Sequence, residues 1–212
     1  MKQIFDSLKK QSPSRIIALG FSAVILVGAV LLMMPFSLKK GVHLSFLNAL
    51  FTSTSAVCVT GLVVVDTADS FTAIGQAIVA ALIQIGGLGI ASVGVGLIIA
   101  AGKRVSIKSR LMVKEALNVD TYHGMVRLVR IVLAITLGFE AAGAIISFFV
   151  FRKDYSPLHA VGISIFHSIA AFNNAGFDNL GGMHNLIPYK DNILLNITTD
   201  VLFIVGGIGF LV

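Results

Sequence analysis

Long runs of apolar residues separate shorter polar and mixed segments along this chain. The runs cover residues 16–36, 74–102, 125–151 and 192–212, and the first two contain no charged residue. A helix needs about 20 predominantly apolar residues to cross the hydrocarbon core of a bilayer. Each run is long enough by this measure, so the pattern predicts an all-α membrane protein.

Two further apolar segments, residues 44–57 and 159–172, are too short to cross a bilayer. Apolar stretches of about 10–14 residues are typical of re-entrant or interfacial segments. Non-helical backbone at membrane depth is tolerated only where protein buries it or where it lines a water-filled cavity. We therefore expect each segment to enter the membrane as a short helix and to return through extended backbone.

The composition agrees with a membrane protein, because 56% of the 212 residues are hydrophobic, 12% are charged and the mean hydropathy is +0.94. The net charge of +6 comes from basic residues that collect in the N-terminal tail and between the second and third runs. By the positive-inside rule both clusters, and with them the N-terminus, face the cytoplasm. This sorting explains the positive charge without nucleic-acid binding. The basic segment 103–122 is compatible with contact to anionic lipid or with docking of a cytosolic partner.

The two halves of the chain are related by an internal repeat. Residues 51–62 align without gaps with residues 166–177, which pairs Gly61 with Gly176. Each half has the order long helix, short re-entrant helix, glycine turn and long helix. Repeats of this kind often mark transport proteins, with the ion site at the repeat interface.

The repeat continues into the last helix of each half, where Gln-Ile-Gly-Gly-Leu-Gly-Ile at 84–90 matches Ile-Val-Gly-Gly-Ile-Gly-Phe at 204–210. A single Gly-Gly-x-Gly is weak evidence, since small residues simply let membrane helices pack closely. The predicted organisation is a cytoplasmic tail (1–15), a first repeat (16–102), a cytoplasmic basic linker (103–124) and a second repeat (125–212).

The glycine turns have the chemistry of an ion-selectivity filter. A dehydrated cation needs oxygen ligands, and backbone carbonyls supply them when an extended segment points them inward. Glycine adopts the required positive φ at little cost, and the C-terminal end of a preceding helix favours a cation. The side chains of Asn173 and Asn174 are expected to brace the backbone rather than to contact the ion. The candidate ion-binding residues are Val57, Cys58, Val59, Thr60 and Gly61 in the first repeat and Phe172, Asn173, Asn174, Ala175 and Gly176 in the second.

Four motifs carry a resemblance to a known family: Ser-Ala-Val-Cys-Val-Thr-Gly-Leu (55–62), Gln-Ile-Gly-Gly-Leu-Gly (84–89), Phe-Asn-Asn-Ala-Gly-Phe (172–177) and Gly-Gly-Ile-Gly-Phe (206–210). They resemble the Trk/Ktr/HKT superfamily of potassium transporters, and within it the membrane subunits of bacterial Ktr systems. The resemblance covers essentially the whole chain.

This resemblance implies four M1–pore helix–M2 repeats that form a potassium-channel-like pseudo-tetrameric pore with one filter glycine per repeat. It implies K⁺ as the transported ion, with Na⁺ as the alternative, and no covalent cofactor. It also implies a homodimer in the bacterial plasma membrane, seated on a cytosolic ring of nucleotide-binding regulatory subunits. The chain holds two such repeats and ends within the last helix of the second, so we expect it to be half of a transporter.

Two acidic residues have competing interpretations. Asp178 follows the second filter glycine and either raises the local cation concentration at the outer mouth or stabilises a turn. Glu140 lies within the third apolar run, where a carboxylate is a functional candidate. The alternative is a structural carboxylate whose burial is compensated by a hydrogen bond, or by Arg127 or Arg130 on another turn of the helix.

Enzymatic and metal chemistry are not indicated. The single cysteine, Cys58, excludes an internal disulfide, and no Cys or His pairs occur at metal-ligand spacing. No nucleophile–base pair or phosphate-binding loop stands out. The sequence predicts potassium uptake through a pore. The alternatives are a Na⁺- or H⁺-coupled cation symporter of the same architecture, and a non-conducting membrane accessory or scaffold subunit that would not need the filter glycines.

Overall fold

The computed structural model describes residues 12–117 and 124–208, and the regular elements within these ranges are helical. One isolated antiparallel bridge joins Leu38 and Phe71. The prediction of a mainly helical chain with several apolar helices is confirmed. The helices are α1 (Pro13–Met33), α2 (Phe46–Val57), α3 (Thr67–Ser70), α4 (Ala73–Leu88), α5 (Ile90–Ala100), α6 (Ile107–Ala116), α7 (Met125–Phe151), α8 (Pro157–Phe172) and α9 (Ile193–Ile208), with a short 3₁₀ helix at Ile187–Tyr189.

Helices α1, α2 and α4 pack into a first three-helix unit. Short polar side chains fix where two of its helices begin. The Ser45 hydroxyl accepts the backbone N–H of Asn48 at 3.2 Å, and the Thr72 hydroxyl accepts that of Gly75 at 3.2 Å. Such N-caps satisfy helix N–H groups that have no partner within the helix. A shared core of buried apolar side chains then holds the three helices together.

Helices α7, α8 and α9 form a second unit with the same contacts. In the first unit the Ser53 hydroxyl on α2 donates to the Ile25 carbonyl oxygen on α1 at 2.7 Å. In the second unit the Ser168 hydroxyl on α8 donates to the Glu140 carbonyl oxygen on α7 at 2.7 Å. Because Ser53 and Ser168 are paired in the sequence repeat, the repeat of residues is also a repeat of helix contacts.

The apolar run 74–102 does not form one long helix, which corrects the sequence-based expectation. It is divided at Gly89 into α4 and α5, which are bent by 105° relative to each other. Gly89 has φ 77° and ψ 137°, a conformation outside the helical region that glycine adopts without a Cβ clash. Its N–H bonds to the Gly86 carbonyl oxygen at 3.1 Å, which closes the last turn of α4.

Within the described residues, two helices are long and apolar enough to cross a membrane, Ser14–Met33 and Met125–Phe151, and the bent pair α4–α5 is a third if it counts as one span. Helix α9 is described as far as Ile208, and residues 209–212 of the fourth run lie outside the described ranges. Large apolar side chains cover the outer faces of these helices, for example Leu137 at 60% exposure. Exposed apolar faces of this size are typical of surfaces that contact a membrane or another protein.

The basic linker contains α6, which packs against α1 and α5. The Ser14 hydroxyl at the start of α1 donates to the Glu115 carboxylate on α6 at 2.7 Å, and Val113 is fully buried. The described part of the linker is therefore attached to the same end of the molecule as the start of α1. Residues 1–11 and 118–123 lie outside the described ranges, and the domain boundaries stay predictions.

Candidate functional site

The first glycine segment, defined as residues 57–61, begins where α2 ends. Val59 has φ 56° and Gly61 has φ 73°, so the chain leaves the helix through two left-handed residues. The N–H of Thr60 bonds back to the Ser55 carbonyl oxygen at 3.0 Å, which closes the turn. A left-handed conformation is a genuine outlier at a β-branched residue, and such strain persists only where the surrounding structure holds it.

The second glycine segment, defined as residues 172–176, repeats this conformation at the end of α8. Asn174 has φ 55° and Gly176 has φ 68°. The N–H of Ala175 bonds back to the Ala170 carbonyl oxygen at 2.8 Å. Both segments therefore follow a helix C-terminus, close the same turn and end on a left-handed glycine.

The two glycine segments meet at Gly61 and Gly176. A Cβ atom added to Gly61 would lie 2.8 Å from the Ala175 carbonyl oxygen and 3.2 Å from Gly176 Cα. These neighbours are backbone atoms, so they cannot move aside as the end of a flexible side chain can. Gly61 therefore needs to be glycine both for its positive φ and for the close approach of the second segment.

A glycine on the following helix lies against the first carbonyl group of each segment. Gly86 on α4 lies against the Val57 carbonyl oxygen, and Gly206 on α9 lies against the Phe172 carbonyl oxygen. A Cβ atom at either glycine would overlap that oxygen. Gly86 and Gly206 therefore let α4 and α9 approach the backbone of the preceding glycine segments.

The side chains of the segments bond mainly to neighbouring protein groups. The Thr60 hydroxyl lies 2.9 Å from the Ser55 hydroxyl, and the Asn174 amide donates to the Phe203 carbonyl oxygen on α9 at 3.0 Å. Cys58 is exposed and its thiol is free. Within residues 12–117 and 124–208, no group of three or more His, Cys, Asp or Glu side chains is placed to hold a metal ion. The oxygen atoms that recur in both segments are backbone carbonyls.

A partly buried polar cluster lies behind the second glycine segment, and the sequence did not indicate which residues form it. The Asn173 side-chain amide donates to the Gln84 side-chain oxygen on α4 at 3.0 Å and to the Glu140 carboxylate on α7 at 3.3 Å. Glu140 is only 7% exposed. Arg130 lies about 15 Å away along α7, at a rise of about 1.5 Å per residue. Of the two structural explanations for Glu140, the hydrogen bond is the one observed. Gln84 is a polar residue within an apolar run, and this was the feature of the sequence that could have indicated the cluster.

Acidic side chains of the first unit also hold a loop of the second. The Asp69 carboxylate accepts the backbone N–H of Gly182 at 2.9 Å, and the Asp66 carboxylate accepts that of Met183 at 2.8 Å. Asp66 also accepts the N–H of Asp69 at 2.8 Å, which caps α3. Asp66 is the N-cap of the four-residue helix α3 and Asp69 is its third residue. Nothing in the sequence repeat indicated that they reach the other half.

Asp178 lies two residues beyond Gly176 and is half-buried. Its carboxylate accepts the N–H of Leu180 at 3.0 Å, the bond expected of an aspartate that stabilises a turn. Burial raises the pKa of Asp178; the hydrogen bond from Leu180 opposes the shift, and the negative charge of Asp66 adds to it. The turn role therefore has an observed bond, and a role in attracting cations stays a prediction.

Comparison with known proteins identifies the class. Residues 7–212 match the TrkH family, described as cation transport protein. The chain belongs to this family, and its apolar helices agree with a membrane protein.

Individual relatives are named for potassium uptake. The chain is 42% identical over 201 residues to Ktr system potassium uptake protein B of Bacillus subtilis, covering 95% of this chain and 44% of the relative. It is 38% identical over 204 residues to potassium/sodium uptake protein NtpJ of Enterococcus hirae, covering 96% and 45%. Ktr system potassium uptake protein D of Bacillus subtilis is 37% identical over 202 residues, covering 94% and 44%. The chain thus spans less than half the length of these relatives.

Proposed function

We propose that this protein takes up potassium across a membrane, and that the two glycine segments form part of its selectivity filter. The observation that carries the proposal is the recurrence of one backbone conformation in both halves, with the two copies meeting at Gly61 and Gly176. Backbone carbonyls can replace the hydration shell of K⁺ when several segments surround the ion. Membership of the TrkH family supports transport of a cation.

The helices that precede the glycine segments also favour a cation in this proposal. Helices α2 and α8 finish at Val57 and Phe172, so their C-terminal ends lie next to the proposed ion path. The partial negative charge at a helix C-terminus stabilises a cation. In this proposal α2 and α8 are the pore helices of two M1–pore helix–M2 repeats.

Further segments of the same kind complete the filter in this proposal, as four repeats of a pseudo-tetramer. A cavity of about 380 Å³ opens beside the second glycine segment, with Thr199 and Phe203 in its lining. The counterparts of these residues in the first unit, Val79 and Ile83, belong instead to a core shared with residues of α8. The second unit therefore has an uncovered face where the first unit is covered by its neighbour.

The names of the relatives support an assembly with other subunits. Two of the relatives described above are called Ktr system proteins, and we extend that to a homodimer that works with a cytosolic ring of nucleotide-binding subunits. The basic residues near α6 support a cytoplasmic N-terminus by the positive-inside rule, in the plasma membrane of a bacterium.

A second candidate is transport that involves sodium, either as a carried ion or as a coupling ion. It is favoured by the relative named for potassium/sodium uptake. The two candidates share the same filter, and they differ in whether a sodium gradient changes the flux of potassium.

Flux measurements on the complete protein in liposomes test both candidates. We expect saturable uptake of K⁺ or of its analogue Rb⁺ that empty liposomes lack. A reversal potential that follows the K⁺ gradient alone supports the first candidate, and one that shifts with the Na⁺ gradient supports the second. If correctly folded protein gives no cation flux with its partner subunits present, the transport proposal is wrong and a non-conducting role replaces it.

A further inference from the structure

The polar cluster behind the second glycine segment joins three helices of the two units. Asn173, which belongs to the segment, donates to Gln84 on α4 and to Glu140 on α7, and also to the Ile169 carbonyl oxygen of its own helix at 2.9 Å. Gly87 on α4 provides the space, because a Cβ atom there would overlap the Asn173 side-chain oxygen. The Asn173 side chain is therefore enclosed by groups that fix its position.

The residues that the repeat pairs with the cluster are less polar. The sequence repeat pairs Asn173 with Cys58 and Gln84 with Ile204. The serine–carbonyl bonds described above pair Glu140 with Ile25. Asn173, Gln84 and Glu140 are thus more polar than the residues that the repeat pairs with them. Asn173 contacts Gln84 across the interface of the two units and Glu140 within the second unit. Helix packing alone does not require them, since the corresponding positions of the repeat use apolar or weakly polar side chains.

Because the cluster is shielded from water, the loss of one of its hydrogen bonds should destabilise the protein. A polar group removed from water without a partner destabilises the protein. The carboxylate of Glu140 is buried next to the Asn173 amide, so a change in one of the two affects the other. A shift of the Asn173 side chain would move the backbone of residues 172–176, which holds positive φ values at Asn174 and Gly176.

We propose that Glu140 and Gln84 are positioning residues for the second glycine segment and act through Asn173. Gln84 holds the segment against α4 and Glu140 holds it against α7, so that its carbonyl groups keep the spacing that distinguishes K⁺ from the smaller Na⁺. The groups act as hydrogen-bond acceptors, and the charge of Glu140 is not itself required. This inference rests on the proposed function, because it concerns the selectivity of the same site.

The test compares variants of the complete protein, produced with its partner subunits in a bacterial strain that lacks its own potassium uptake. Glu140→Leu and Gln84→Leu each remove a hydrogen-bond acceptor and leave a side chain of similar size. Glu140→Gln keeps an oxygen that accepts from Asn173 and removes the charge. Ile25→Leu, at the position corresponding to Glu140, is the matched control. The measurements are the KM and maximal rate of K⁺ uptake, its inhibition by Na⁺, and the amount of protein in the membrane.

We expect Glu140→Leu and Gln84→Leu to lower the preference for K⁺ over Na⁺ by about fivefold, which corresponds to about 1 kcal/mol for one hydrogen bond. Protein amount should stay near wild type, because the Ser168 bond to α7 uses the backbone carbonyl of residue 140. Glu140→Gln should recover most of the preference. The double leucine variant should be little worse than the more severe single one, because residues in one network are not additive.

Three results would overturn the inference. Unchanged selectivity in both leucine variants would show that the cluster does not position the segment. Equal loss in Glu140→Gln and Glu140→Leu would show that the charge is required. Fully additive losses in the double variant would show that the two residues act independently. Failure of the proposed function is distinguishable, since the wild-type protein and Ile25→Leu would then show no potassium uptake.

Discussion

Gly61 and Gly176 face each other so closely that a Cβ atom built on Gly176 would lie 3.1 Å from the Cα of Gly61. Both residues also have positive φ. Glycine is therefore required at both positions, because of the positive φ and because the two glycine segments approach each other closely there.

Replacement of either glycine by valine is expected to abolish selective potassium uptake. A β-branched residue at φ near 70° is strained by about 1–3 kcal/mol, and its side chain collides with the backbone of the other segment. Potassium uptake by Gly61→Val and Gly176→Val should fall by at least about tenfold, a change that 1.4 kcal/mol already gives.

Gly41→Val separates local strain from the site itself. Gly41 has φ 82°, but a Cβ atom there meets nothing within 4 Å. This control carries the same conformational penalty in open space, so its uptake should stay close to wild type. If uptake persisted in both Gly61→Val and Gly176→Val, the filter assignment would have to be abandoned.

The glycines that let α4 and α9 approach the segments give a second prediction. Alanine at Gly86 or Gly206 would overlap the carbonyl oxygen of Val57 or Phe172, so the helix and the segment must separate. We expect lower thermal stability in detergent and weaker K⁺ selectivity in both variants. Overpacking of this kind typically destabilises by about 1–3 kcal/mol.

Gly138→Ala is the matched control for these two variants. Gly138 lies in α7, and a Cβ atom there meets nothing within 4 Å. Because alanine favours a helix over glycine by about 1 kcal/mol, this variant should be at least as stable as wild type. A similar loss of stability in Gly138→Ala would show that the carbonyl contacts are not the cause.

The sequence was sufficient for the features that depend on local pattern. Apolar run length indicated helices α1 and α7, and the short apolar segments coincide with α2 and α8. Glycine placement indicated the turns at Gly61 and Gly176, because glycine adopts a positive φ at little cost. The repeat within the chain then indicated that both turns belong to one arrangement.

The sequence was insufficient where the outcome depends on tertiary contacts. The run 74–102 contains several glycines, and only the fold decides that Gly89 is where the helix ends. The link between Gln84 and Glu140 joins residues that are far apart in the chain and that both accept a hydrogen bond from Asn173. Polar residues in apolar runs were visible in advance, but their partners were not.

The bonds between Asp69 and the loop of the second unit predict a specific loss of stability. Asp69→Ala removes the acceptor for the Gly182 N–H, and a net loss of about 1 kcal/mol is typical for one hydrogen bond. A lower midpoint of thermal unfolding in detergent and faster proteolysis near residue 182 should follow. Asp69→Asn retains an oxygen acceptor, so its unfolding midpoint should lie between those of the wild type and Asp69→Ala. An unchanged midpoint in Asp69→Ala would mean that the loop is held by other contacts.

Asp178→Asn tests whether the charge beyond the second glycine segment attracts cations. The asparagine oxygen can still accept the Leu180 N–H, so the turn is preserved while the charge is removed. A charge near the mouth of a pore is worth about 0.5 kcal/mol at moderate distance in a water-like medium, or roughly a twofold change. The KM for K⁺ should therefore rise by roughly twofold at low ionic strength, and the difference should vanish at high salt because exposed charges are screened.

The pH dependence of the same variant has a defined sign. Burial and the charge of Asp66 raise the pKa of Asp178 in the folded protein above its value in the unfolded chain. The contribution of this group to stability is therefore fully present below the unfolded pKa, and it is lost as the pH rises through the folded pKa. Asp178→Asn lacks this loss, so its stability relative to wild type should increase as the pH rises from acidic to neutral. A KM that is unchanged at every ionic strength, together with this gain in stability, would assign Asp178 to the turn alone.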